Sequence, residues 1–143
     1  QMIRAAKRVK EAGILLSITV LLGIGGVELS REHAEDTGKV LSQMDPEYVG
    51  ALSLMIVPGT PIADEIESSK LILPSPFALI RELGLMIAHC QFTECFFASN
   101  HASNYLPLRI RMPQEKEQAL KIIREVLQKN DPSLLRPEYM RAL

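Results

Sequence analysis

Ile14-Leu-Leu-Ser-Ile-Thr-Val-Leu-Leu-Gly-Ile-Gly-Gly-Val-Glu28 is the stretch from which the rest of the chain is read. The run to Leu22 is nearly continuous in apolar and β-branched residues and stands between Gly13 and Gly23, the pattern of a strand buried on two faces in a parallel sheet. Upstream, Met2, Ile3, Ala6, Val9 and Ala12 recur at helical spacing, and Gly13 is placed to close that helix in the left-handed conformation. Downstream, Ser30 is a candidate N-cap, and Ala34, Thr37, Leu41 and Met44 line one helical face until Asp45-Pro46 breaks it. The order is helix, strand, glycine turn, helix.

That order repeats. Tyr48 to Val57 has the same doubly buried signature and ends at Pro58-Gly-Thr-Pro61, whose prolines cannot donate ladder hydrogen bonds. Ile62 to Ser68 reads as a short helix, and Phe77, Ile80, Gly84 and Ile87 give one stripe of a longer one. Cys95 to Ser99 supplies a third strand, Asn100 to Pro107 a polar loop, and Pro113 to about Lys129 a last helix carrying Leu120 and Ile123. Strand starts near residues 14, 48 and 95 predict an α/β fold of about three parallel βα units with right-handed crossovers. Ligands of such folds collect at the carboxyl ends of the strands, so Gly23–Glu28, Pro58–Pro61 and Asn100–Asn104 are expected on one rim.

Composition bounds the function. The 143 residues are 47% hydrophobic and 23% charged, one domain's worth of globular protein. Lys and Arg number 16 against 17 Asp and Glu, a net charge of −1 that gives no electrostatic footprint for nucleic acid. The apolar runs are shorter than the ~20 residues of a membrane span. Two cysteines, Cys90 and Cys95, are too few for a disulfide framework and fit a reducing compartment, so a cytoplasmic protein is expected. Met2 to Val9 are in helical register directly after Gln1, so the visible sequence is expected to begin inside a structure.

Each motif has a plain reading beside its functional one. Gly23-x-Gly-Gly-x-Glu28 could bring amides close to an anionic ligand at a helix start, or be only a turn with Glu28 favouring the dipole. It is not the dinucleotide fingerprint, because Glu28 stands where the third glycine belongs. Pro58-Gly-Thr-Pro61 could offer backbone to a planar ring, or be a rigid turn. The loop Asn100-His-Ala-Ser-Asn-Tyr105 is dense in hydrogen-bonding side chains, which favours a site. His89, Cys90, Cys95 and His101 are ligand types that zinc accepts. However, His89 and Cys90 end a helix while His101 follows the next strand, at the opposite pole of a βα unit. Buried thiols and a helix-end histidine are the reading taken, with no metal ligands, and His33 reads as a solvated residue.

Val20 to Glu28, Ile56 to Pro61 and Ala98 to Tyr105, in that order and spacing, resemble the carboxyl-terminal half of a radical S-adenosylmethionine (radical SAM) enzyme of the Fe-S oxidoreductase type. The resemblance spans roughly residues 1–130 and leaves 131–143 as a tail. It implies the last part of a partial (βα)6 TIM-like barrel, with the first segment as its Gly-rich fifth strand and the second as the end of the sixth. It also implies 5′-deoxyadenosyl radical chemistry driven by a 4Fe-4S cluster on a C-x3-C-x2-C triad. That triad is absent here, so the cluster belongs to the full-length protein only, and the piece alone is expected to be inactive. By the same resemblance, Gly23, Gly25, Gly26 and Glu28 would hold S-adenosylmethionine, and Pro58, Gly59 and Thr60 would lie against its adenine. Asn100, His101, Ser103 and Asn104 would face the rim or the substrate.

The partners implied are the missing amino-terminal half of the barrel or, through unpaired edges and an uncovered apolar face, further copies of the chain. No membrane and no nucleic acid are expected. The rival is a non-catalytic ligand-binding or interaction module of the same fold, and a small zinc protein using Cys90 and Cys95 is a third possibility.

Overall fold

The computed structural model describes residues 1–143. The chain runs α1 (Met2–Glu11), β1 (Ser17–Leu22), α2 (Gly26–Met44), β2 (Tyr48–Ser53), α3 (Pro61–Glu67), α4 (Pro76–His89), β3 (Cys95–Ala98), β4 (Arg109–Met112) and α5 (Lys116–Lys129). Two 3-10 turns follow, Pro132–Leu134 and Glu138–Met140. The strands form one sheet in the order β1-β2-β3-β4. β1–β2 and β2–β3 are parallel and β3–β4 is antiparallel.

Three parallel strands therefore stand where the alternation placed them, but the third is not followed by a helix. It is followed by β4, which makes the sheet open and mixed, where three successive parallel βα units were expected. The cause lies in Leu108-Arg-Ile-Arg-Met112. Leu108, Ile110 and Met112 are buried while Arg109 and Arg111 are exposed, a period of two that fits a half-covered strand. The last helix accordingly starts at Lys116, beyond Pro113.

Register sorts the sheet into two unlike faces. Val49 pairs with Ile18 and Phe97, and Phe97 with Ile110, and this row joins Leu22, Ala51, Cys95 and Met112 in the core. Helices α2, α4 and α5 supply the rest through residues such as Ala34, Leu41, Leu83, Met86, Ile87 and Ile123. The opposite face carries Ser17–Tyr48–Phe96–Arg111 across its lower row and Thr19–Gly50–Ala98–Arg109 across its middle. No helix covers it: Tyr48 is 46% and Phe96 38% exposed. β1 is thus buried on one face only, not two as its composition predicted, because nothing packs over the face that carries Ser17, Thr19 and partly buried Leu21.

Local chemistry sets the helix ends. Gly13 (φ 74°) follows α1 in the left-handed conformation its position predicted. α2 begins at Gly26, a turn earlier than Ser30, and stops at left-handed Asp45 (φ 45°). Ser75 caps α4 by accepting the Ala78 N–H at 3.3 Å, with Pro76 at the first turn. α2 and α4 approach closely at Gly38, where a Cβ would stand 2.8 Å from the Met86 backbone carbonyl oxygen and 2.7 Å from His89 Cβ. No helix is long and apolar enough to cross a membrane.

Candidate functional site

The carboxyl ends of β1, β2 and β3 and the start of β4 form one rim beside the open face. Their loops are physically tied: the Leu54 N–H donates to the Leu22 carbonyl (2.9 Å), and the Ser53 N–H to Ser103 Oγ (3.1 Å). The loop after β3 closes on itself where the Ser99 N–H meets the Leu108 carbonyl at 2.9 Å.

At the glycine turn, Gly23 and Gly26 are buried and their space is taken by the chain itself. A Cβ at Gly23 would stand 2.9 Å from Leu79 Cδ2, and one at Gly26 2.6 Å from Leu71 Cδ1. Gly26 also needs glycine for its φ of 62°. Leu71 and Ile72 come from the excursion after α3, and the Ile72 carbonyl accepts the Val27 N–H at 2.8 Å. Between these glycines the Ile24 and Gly25 amides have no acceptor in the chain. They head a helix running from Gly26 to Met44, the polarity that favours an anion. Glu28 lies exposed in its first turn.

The turn rests on a group that sequence reading missed. Glu82 of α4 has a wholly buried side chain. Its Oε1 accepts the Gly23 N–H at 2.9 Å and lies 2.9 Å from His33 Nδ1, while Oε2 accepts from Ser30 Oγ. His33 is therefore no solvated residue: α2 packs against α4, and the ring is drawn to the only acid in the middle of that helix. The available signal was a carboxylate inside the apolar run from Phe77 to Ile87.

Pro58, Gly59 and Thr60 lie at the outer end of the rim, largely exposed, with the Thr60 hydroxyl donating to the Val57 carbonyl (2.7 Å). A Cβ at Gly59 would meet nothing within 4 Å, so this turn is free on that side. No hydrogen bond joins it to the Gly25 amide.

In the third loop, the four polar residues divide by direction. Asn104 is 2% exposed and satisfied on every side: Oδ1 accepts from Ser53 Oγ (2.8 Å), and Nδ2 donates to the Ala51 (2.7 Å) and Ser99 (2.9 Å) carbonyls. Ser103, 1% exposed, accepts from Ser53 and lies 3.0 Å from His101 Nδ1. That nitrogen also accepts the Ser103 N–H (3.2 Å), which leaves His101 Nε2 without a partner. Asn100 is exposed, and its amide end faces the Arg109 guanidinium; oriented with the oxygen toward that cation, it accepts from Nη2 (2.8 Å) and Nε (3.2 Å). The rim thus presents His101, Asn100 and a cation held at the edge of the open face, while Ser103 and Asn104 hold the loop.

The tail is a strap on this loop. Arg136 Nη1 donates to the His101 (2.7 Å) and Asn104 (2.9 Å) carbonyls, and Arg141 Nε to that of Ser103 (2.8 Å). Arg141 also lies 4.1 Å over the Tyr105 ring. Burial and a hydrogen bond to Glu138 push the Tyr105 hydroxyl up to about 12, against the opposing pull of Arg141.

The cysteines lie elsewhere. Cys90 caps α4 and Cys95 opens β3, both as free, buried thiols that burial pushes up to about 12. His89 Nδ1 is engaged with the Leu85 carbonyl (2.9 Å), and no three His, Cys, Asp or Glu side chains are grouped to hold a metal ion. Two thiols at the foot of the sheet do not fit a cluster that needs three cysteine thiolates. S-adenosylmethionine fits better, since its carboxylate suits the unpartnered Ile24 and Gly25 amides.

Compared with protein-family models, curated proteins and solved structures, the chain matches none.

Proposed function

We propose that this chain is the carboxyl-terminal portion of a radical SAM Fe-S oxidoreductase, forming the last strands of a partial TIM-like barrel and giving contacts to S-adenosylmethionine and substrate. The observation that carries this reading is the one-sided sheet. Every helix packed on the core covers one face, and the other face, with its small middle row Thr19, Gly50 and Ala98, opens beside the rim. A barrel wall has this form, with helices outside and a lined interior.

In this reading the Ile24 and Gly25 amides take the methionine carboxylate, and Pro58 to Thr60 border the adenine. Asn100, His101 and Arg109 stand on the substrate side. S-adenosylmethionine supplies, when bound in the whole enzyme, a radical able to abstract hydrogen. The cluster that reduces it is held by residues outside this chain. The missing half of the barrel, or a second copy of this chain, would cover the open face and the free edge of β1, in the cytoplasm.

One observation favours a second reading, a ligand-binding or interaction module without chemistry. Leu79 and Leu71 already fill the space over Gly23 and Gly26.

Isothermal titration of the purified chain with S-adenosylmethionine separates the two. Saturable binding that Gly25→Val removes supports the first; a folded chain that takes up none supports the second. Under either, the chain alone does not cleave S-adenosylmethionine with dithionite.

A further inference from the structure

On the helical side of the sheet, opposite the open face, a trough of about 600 Å³ runs along the outer surface of α4 between α2 and α5. A trough of this size falls within the ~300–1,000 Å³ range of small-molecule sites. Its floor is Ala78, Leu85 and Ala88 from α4, at the 3–4 residue spacing of one helical stripe, and Leu120, Ile123 and Leu127 form the α5 wall. Small residues on the α4 stripe leave the hollow, because α2 and α5 stand above it on either side.

Each of the three helices adds one arginine: Arg31, Arg81 and Arg124. α2 and α4 leave the rim and α5, after antiparallel β4, returns to it. Arg31 stands five residues after Gly26, Arg81 five after Pro76, and Arg124 five before Lys129. At 1.5 Å per residue that is about 7.5 Å from the rim-side end of each helix, so the three cations share one level. Arg31 is bound to Glu35 (2.7 Å), but Arg81 and Arg124 are in no ion pair. The one acid in the lining, Glu82, has its side chain wholly buried and is occupied by Gly23, Ser30 and His33.

An apolar trough with unpaired guanidinium groups partway along it, Arg81 between Ala78 and Leu85 and Arg124 between Leu120 and Leu127, is complementary to an amphiphile: hydrocarbon along Leu85, Ala88 and Ile123 toward the foot, and an anion forked between Arg81 and Arg124. We infer that this trough binds a free single-chain carboxylate of the fatty-acid class, head toward the rim and chain toward the foot of α4. The arginines set the charge preference and the stripe sets the width.

The test uses the whole 143-residue chain and 11-(dansylamino)undecanoate as fluorescent probe. Saturable enhancement at one equivalent is expected, with dodecanoate displacing the probe at about tenfold lower concentration than dodecan-1-ol. In the surface double variant Arg81→Gln/Arg124→Gln that preference collapses while the alcohol binds as before. In Ala88→Phe, which places a ring in the trough, both ligands are lost with the circular dichroism unchanged. Equal displacement by acid and alcohol, an unaltered preference in the double variant, or probe uptake only when phosphatidylglycerol vesicles are present would overturn the inference.

Discussion

The Glu82 carboxylate accepts the backbone N–H of Gly23 at 2.9 Å, joining the middle of α4 to the first residue of the glycine turn across 59 positions of sequence. With Ser30 and His33 on the same group, the turn, the start of α2 and α4 are fixed to one another. The Ile24 and Gly25 amides are presented by a rigid support.

Removing that support should therefore cost more than an ordinary buried bond. Glu82→Ala leaves the Gly23 N–H, the Ser30 hydroxyl and His33 without their acceptor, and a loss of about 3 kcal/mol is expected in urea unfolding. Glu82→Gln keeps the volume and one acceptor and should lose less. Wild-type stability in Glu82→Ala would mean that the turn holds itself.

Asn104 performs the equivalent task on the other side of the rim, where it ties the loop to the ends of β2 and β3. Asn104→Ala should cost about 2–3 kcal/mol, because two carbonyls and the Ser53 hydroxyl lose their partner in a dry place. Hydrogen exchange should quicken at Ser53 and along the loop to Leu108 before it quickens in α2. Uniform acceleration across the sheet would show a global effect instead.

The thiols give a simpler expectation. Burial pushes Cys90 and Cys95 up to about 12, so neither supplies thiolate at pH 8. Native protein should leave Ellman's reagent unreacted over minutes, and both thiols should react at once in urea. A rapid native equivalent would place one of them at an accessible site.

At the foot of the sheet, Lys10 Nζ lies 3.4 Å from Asp45 Oδ2 and 3.1 Å from Glu47 Oε1. Burial raises the Asp45 carboxyl, but the Thr93 N–H and Lys10 outweigh it and hold it below its usual range. The Leu16 N–H, against burial and with Lys10, does the same for Glu47. Carboxyls lowered in the folded state bind fewer protons than in the unfolded one. Their contribution is present above the unfolded values of 3.8 and 4.5 and is lost as pH falls through the lower folded ones. Lys10→Met should flatten the decline of stability between about pH 5 and pH 3. A decline as steep as wild type would remove Lys10 from the cause.

Much of this architecture is legible in the sequence. Long apolar runs bounded by glycine and proline locate β1 and β2, the short Cys95–Ser99 segment between polar neighbours locates β3, and the stripe from Phe77 to Ile87 locates α4, because burial imposes its period on sequence. β4 escaped because it spans only Arg109–Met112, between Pro107 and Pro113, too short for its alternation to stand out. The rim followed from topology: the ends of β1 and β2 and the loop after β3 are tied by the Leu54–Leu22 and Ser53–Ser103 bonds, while the Pro58–Thr60 turn stands apart, bonded only within itself. The direction of individual side chains did not follow. Ser103 and Asn104 are as polar as Asn100 and His101, and only the unsatisfied carbonyls at the sheet's end decide which pair turns inward. Glu82 and His33 are a tertiary event of the same kind, created where α2 crosses α4.

The central claim is that the rim, through the Ile24 and Gly25 amides, takes the carboxylate of S-adenosylmethionine. Titrating the 15N-labelled chain with that molecule and following every backbone amide tests it residue by residue. The account predicts saturable shifts at Ile24 and Gly25, then at Thr60 and Asn100, with Gly25→Val removing them all. Unmoved rim amides at saturating ligand in a folded chain, or shifts confined to the α4 trough, would contradict it.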